Sequence, residues 1–141
     1  GGGGTSGQHQ ACHYARRLQT TNAAATTFTA TERIFIPANR TFGFRILVTA
    51  RQTGGASGTV GDSATWNITG CIKRDGANNT VLVGVPTGTG TPSGFNDAAA
   101  ATWNVAVTAD DANEALAVTV TGQLNKTILW GISVTDAEVG A

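Results

Sequence analysis

The sequence predicts an all-β fold, an antiparallel β-sandwich of the jelly-roll kind with about eight or nine strands. Three observations carry that expectation. Nineteen glycines and twenty-three threonines sit among few charges, only 13% of the chain, which is a composition of strands and turns. Apolar and polar residues alternate with a period of two in five separate stretches. Glycine, proline, asparagine and aspartate punctuate the intervals between those stretches. At 141 residues the chain has the length of one domain, enough to bury roughly two thirds of its unfolded surface.

Residues 1–10 read as a flexible, glycine-rich lead or anchor, with four glycines followed by Thr5, Ser6 and Gly7; residues 11–141 read as the sandwich. The chain has no methionine, so Gly1 is not read as an initiator, and residues 1–10 carry neither a basic nor an apolar signal-peptide region. The alternation is clearest over 41–51, where Phe42, Phe44, Ile46, Val48 and Ala50 share one face and Arg45, Thr49 and Arg51 the other. It returns over 64–74 with Trp66, Ile68 and Ile72 aligned against Asn67, Thr69 and Lys73. Residues 102–110 place Trp103, Val105 and Val107 together, and 115–121 do the same with Leu116, Val118 and Val120. The last stretch, 127–139, aligns Ile128, Trp130, Ile132 and Val134. Shorter candidate strands lie at 12–19, 25–30, 33–36 and 81–85.

The turns between them have identifiable chemistry. Asp75-Gly76 predicts a tight hairpin, because glycine tolerates positive φ and aspartate can hydrogen-bond its own backbone. Residues 110–114 and 122–126 predict two further hairpins, Pro37 and Asn39 separate two strands, and Pro86 closes another. The stretches 53–63 and 86–100 are rich in Gly, Thr and Ser without periodicity and read as surface loops, where partners are met.

Nine basic residues balance nine acidic ones, which argues against a nucleic-acid partner, since phosphate neutralisation needs clustered Lys and Arg. No apolar run approaches the length of a membrane span, so no membrane insertion is expected. Cys12 and Cys71 fit no metal or redox spacing; both are expected as buried free thiols, with a disulfide as the alternative.

Residues suited to catalysis are sparse. His9 and His13 are the only histidines, and no G-x-S-x-G elbow presents a nucleophilic serine. The acids fall mostly in turns, as Asp75, Asp110 and Asp111 do, with no visible glycosidase pair. Cys12 and His13 point to opposite faces of a regular strand, so they cannot chelate one ion together, although a single His near a trimer axis could be tripled around one. Residues 110–114 are oxygen-rich but lack the spacing of a calcium loop. No metal or cofactor is implied.

Trp66, Trp103 and Trp130 share parity with aliphatic neighbours and are expected in the core. Phe95 differs, lying with Asn96 and Asp97 in a loop flanked by glycine and proline. These three are the candidate binding residues, with Phe95 either a contact for a partner subunit or ligand or tucked back onto its own sheet.

The run TERIFIPANRTFGFRILVTARQTGG, followed in order by ATWNITGCIKRDG, TVLVGVP, ATWNVAVTADDANEALAVTVTG and KTILWGISVTDAEV, resembles tail-fibre and related virion-surface proteins of tailed bacteriophages. The resemblance spans about residues 17–139 and is carried by the ordered set rather than by any one piece. It implies a β-sandwich module, repeated as a homotrimer in fibres, spikes or head decorations, and it transfers no catalytic residue. The expectation is therefore a non-enzymatic structural and adhesion module on the virion surface, serving host attachment and virion assembly. Its partners would be copies of itself, other virion proteins and a host surface glycan. The alternatives are a capsid-decorating cement or head-fibre protein and a free-standing carbohydrate-binding module. The glycine-rich start and HQACHYARR lie outside the shared pattern.

Overall fold

The computed structural model describes residues 10–28 and 34–140, with side chains from residue 15 onward. Among these residues, nine strands form two antiparallel sheets. The larger contains β1 (Gln10–Thr20), β4 (Arg40–Gly54), β5 (Ser63–Arg74), β6 (Thr80–Leu82) and β9 (Thr127–Gly140), in the order β1-β9-β4-β5-β6. The smaller is built on β8 (Ala115–Thr121), which pairs along its length with β7 (Asn104–Asp110). At its two ends β8 pairs with β2 (Thr26–Thr27) and β3 (Ile34–Phe35).

β4 is the spine of the larger sheet, flanked by β5 on one side and β9 on the other. Its side chains alternate strictly between buried and exposed from Thr41 to Thr53, because successive Cβ atoms point to opposite faces of the pleat. Phe42, Phe44, Ile46, Val48 and Ala50 line the core as the alternation predicts. They meet Val105, Val118 and Val120 of the smaller sheet in one apolar cluster. Trp130 of β9 stands at its centre, 5.5 Å from the Trp66 ring and 6.0 Å from Trp103, so one indole joins both sheets.

One glycine inside this sheet has a steric cause. Gly70 lies opposite Phe44, and a Cβ there would sit 2.5 Å from Cζ of the Phe44 ring. The ring takes the space that any larger residue would need.

The two-sheet arrangement follows the expectation, and the larger sheet joins long-range pairs, β1 and β4 on β9, to local hairpins. β4, β5 and β6 succeed one another as neighbours in one sheet, and β7 and β8 do so in the other. A jelly-roll order is not evident in this pairing. The β5–β6 hairpin also corrects the expected tight turn. Arg74 pairs with Thr80, leaving residues 75–79 as the loop, and Asn78 rather than Gly76 takes the left-handed conformation at φ 64°. The Asp75 carboxylate stabilises that wider loop by accepting from the N–H groups of Ala77 and Asn79 at 2.8 and 3.0 Å.

Cys71 is a free thiol, but it is half-exposed rather than buried, because it falls on the outward parity of β5 beside Thr69 and Lys73. The expected lead, residues 1–10, lies outside the described residues apart from Gln10, which begins β1. The side chain of Cys12 lies outside them too. Among the described residues no helix is long and apolar enough to cross a membrane.

Candidate functional site

The loop that carries the three candidate binding residues is tied along most of its course to the larger sheet. After β6 the backbone continues beside β5, with Val83 N donating to Cys71 O at 2.8 Å and Thr87 exchanging bonds of 2.9 and 3.1 Å with Thr69. Gly88 fits here because its backbone crosses so close to β5 that a Cβ would lie 2.0 Å from Asn67 O. The chain then swings to the smaller sheet, where Gly90 exchanges bonds of 2.8 and 3.0 Å with Val105. The Gly90 carbonyl also accepts the Trp66 indole N–H at 2.9 Å. It returns to β5, where Thr65 N donates to Phe95 O and Asp97 N to Ser63 O, both at 2.9 Å. The loop therefore closes one side of the sandwich and covers the free edge of β5.

That return sets the direction of Phe95. Asn96 stands opposite Ala64 in an antiparallel bridge, so Phe95 stands beside Thr65 and shares its outward face. The ring is 75% exposed, which decides between the two expectations: it is held out into solvent and not folded back. Asn96 is half-buried and its amide donates to Asp97 O at 3.0 Å. The Asp97 carboxylate accepts from Ser63 N at 2.9 Å. The three residues thus come together over a shallow depression of about 310 Å³ above Ser63 and Thr65. Two of them fix the loop, and Phe95 is the one presented.

The register extends this face across the whole sheet. Thr65 pairs with Thr49, Thr49 with Gly131, and Gly131 with Arg17, giving one row from Phe95 to Arg17. Above Gly131 the missing side chain leaves a depression of about 520 Å³, walled by Arg17, Leu47, Thr49 and Ser133. Arg17 and Arg51 stand together along an adjoining hollow floored by Gly131 and Leu129. Parity placed Arg45, Thr49 and Arg51 on this outer face, but Arg17 and Gly131 join them only through strand pairing. No signal in the sequence gives that register.

Other groups considered from sequence have structural roles. All three tryptophans are buried, so they form no sugar platform. Asp110 is occupied by the backbone and side-chain amides of Asn113 at 3.2 and 2.8 Å. Asp111 accepts from Thr80 N at 2.7 Å, while Glu114 accepts the Thr80 hydroxyl and pairs with Arg74 at 3.3 Å. The acidic hairpin thereby clamps β6 and β5 to the smaller sheet. His9 and the side chain of His13 lie outside the described residues.

No family model matches the chain, and no curated protein does. Among solved structures, it is similar to the tailspike protein of Acinetobacter phage vB_ApiP_P1, at 13% identity and a TM-score of 0.40. It is also similar to the tailspike protein gp49 of Acinetobacter baumannii bacteriophage Fri1, described as a capsular polysaccharide depolymerase, at 11% identity and a TM-score of 0.43. Each likeness covers 90% of this chain, which spans only 22% and 17% of those two chains. The comparison nevertheless corrects one expectation. The second of these proteins is described as a capsular polysaccharide depolymerase, which is an enzyme, and the expectation of a non-enzymatic chain is withdrawn. That expectation rested on the sparse histidines, the missing nucleophile elbow, the absence of a visible carboxylate pair and the resemblance, none of which excludes chemistry built by tertiary pairing.

Proposed function

We propose that the chain is a host-attachment module of a tailed-phage virion, of the tail-fibre or spike type, displayed on the virion surface as a homotrimer. The ordered motif set over residues 17–139 supports the virion setting. The observation that carries the attachment reading is Phe95. Its backbone is fixed to β5 by the Thr65 bond while its ring is 75% exposed, so an aromatic contact is presented without flexibility to lose on binding. Asn96 and Asp97 hold that presentation.

The test is adsorption of the fluorescently labelled chain to a panel of encapsulated bacteria, Acinetobacter baumannii among them, beside its mass by light scattering. Binding to at least one strain is expected, with Phe95→Ala weakening it about ten-fold or more while unfolding as the parent does. A mass of three chains is expected in solution. Undiminished binding by Phe95→Ala would remove the loop from the contact, and absence of binding across the panel would overturn the attachment reading.

A further inference from the structure

We infer that the outer face of the five-stranded sheet, along the row from Phe95 through Thr65, Thr49 and Gly131 to Arg17, binds an acidic polysaccharide whose sugars carry carboxylates. This rests on the attachment reading and names the chemistry of what is bound.

Two glycines on this face have no cause in the fold. Gly131 and Gly43 lie inside the two central strands, neither has a positive φ, and a Cβ at either would enter open space. At Gly131 the nearest atom to such a Cβ is Thr49 O at 4.0 Å. Gly70, by contrast, is required by the Phe44 ring. Glycine weakens a strand, and a strand glycine that the fold does not need marks a place where something else approaches closely. Each of the two borders one of the depressions on this face.

Charge says what approaches. The chain as a whole is neutral, with nine cations and nine anions. Among the described outward positions of β1, β9, β4 and β5, however, the charged residues are Arg17, Arg45, Arg51 and Lys73, with no carboxylate. Those of β9, Asp136 and Glu138, are buried on the inner face, and Glu138 pairs with Arg40 at 2.8 Å. Asp97, at the rim, is held by Ser63 N. Lys73 shares the field of Asp75, which leaves three arginines as the main cations of the face. A guanidinium presents paired N–H groups that fit a carboxylate. From the strand spacing, the Arg17 and Arg51 Cα atoms lie about 12 Å apart, with the Gly131 hollow between them.

The neutral groups suit a sugar chain. Phe95 offers an exposed ring at one end of the row, and the Thr49 and Thr65 hydroxyls stand side by side at 3.4 Å in its middle. A second copy seated face to face on this surface, as in a two-fold dimer, would set arginine against arginine without a carboxylate to receive it. A nucleic acid would call for a denser track of cations and more than one exposed aromatic.

The experiment is calorimetric titration of the intact chain with oligogalacturonate, beside the carboxyl-reduced polymer of equal length and inorganic polyphosphate. Binding of oligogalacturonate is expected to weaken with added salt, and the reduced polymer is expected not to bind. Arg17→Glu with Arg51→Glu should lose about ten-fold or more in affinity. Gly131→Val should lose as much without any change of charge, an unfolding midpoint no lower than the parent's showing that the sheet is intact. Silence with oligogalacturonate, equal binding of the reduced polymer, or polyphosphate binding as tightly with Gly131→Val indifferent would each overturn the inference. Cell adsorption of the same variants separates the two readings. If cells are bound equally by the parent and by the arginine variant, the polysaccharide face falls and attachment stands. If oligogalacturonate is bound while no cell is, attachment falls and the face stands.

Discussion

Trp130 Nε1 donates a hydrogen bond to Thr20 Oγ1 at 2.9 Å, joining residues 110 apart in sequence inside the core. Thr20 ends the edge strand β1, and Trp130 is the indole on which Trp66 and Trp103 converge. The bond therefore fastens the sheet edge to the centre of the packing.

Removing the acceptor while keeping the shape tests its worth. Thr20→Val leaves a fully buried indole N–H without a partner, and urea unfolding should show a loss of about 1–3 kcal/mol. Thr20→Ser, which keeps the oxygen, should lose much less. Equal losses in the two variants would assign the effect to the methyl group.

The adjacent glycines Gly70 and Gly43 should respond oppositely to the same change. Gly70→Ala drives a Cβ into the Phe44 ring, which is 3% exposed and cannot swing away, and should cost about 1–3 kcal/mol. Gly43→Ala meets nothing within 4 Å and should be neutral or stabilise by a few tenths of a kcal/mol, roughly the upper bound being 1 kcal/mol. Thermal unfolding of the pair, with Phe44→Leu added to Gly70→Ala as a partial rescue, checks both signs.

Acid should loosen the β5–β6 turn before the core. The Asn79 side-chain amide, followed by the Asn79 and Ala77 backbone N–H groups and the Lys73 charge, holds Asp75 below its ordinary value of 3.8. A depressed carboxylate contributes stability that is present above its unfolded value and is lost as pH falls through the folded one. The amide signals of Ala77 and Asn79 should therefore shift together on acidification below about pH 4. In Asp75→Asn that titration should vanish. Persistence of the same shift in the variant would point to another group.

Much of the fold was legible because a strand's two faces differ in solvent. The alternation over 41–51 returned as β4, that over 115–121 as β8, and parity buried all three tryptophans. Turn chemistry was less legible. Asp75 was in its expected place, but the left-handed residue was Asn78, since a five-residue loop closes on the Arg74–Thr80 pair. Phe95 was recognisable as a loop aromatic, yet its exposure depends on the antiparallel bridge between Ala64 and Asn96.

Which side chains go inward is a local property: a period of two in hydrophobicity marks Phe42 or Val48 as core whatever lies beside it. Which outward side chains become neighbours is a property of pairing between distant segments. Arg17, Gly131, Thr49, Thr65 and Phe95 form a row because β1, β9, β4, β5 and the returning loop align in one register. Nothing in any of those segments encodes that alignment alone, since a shift of two residues would keep every apolar side chain buried and still scatter the row. The contest is settled by the packing of the Trp66, Trp103 and Trp130 rings and the close fit of Phe44 over Gly70, which admit one alignment of the sheet.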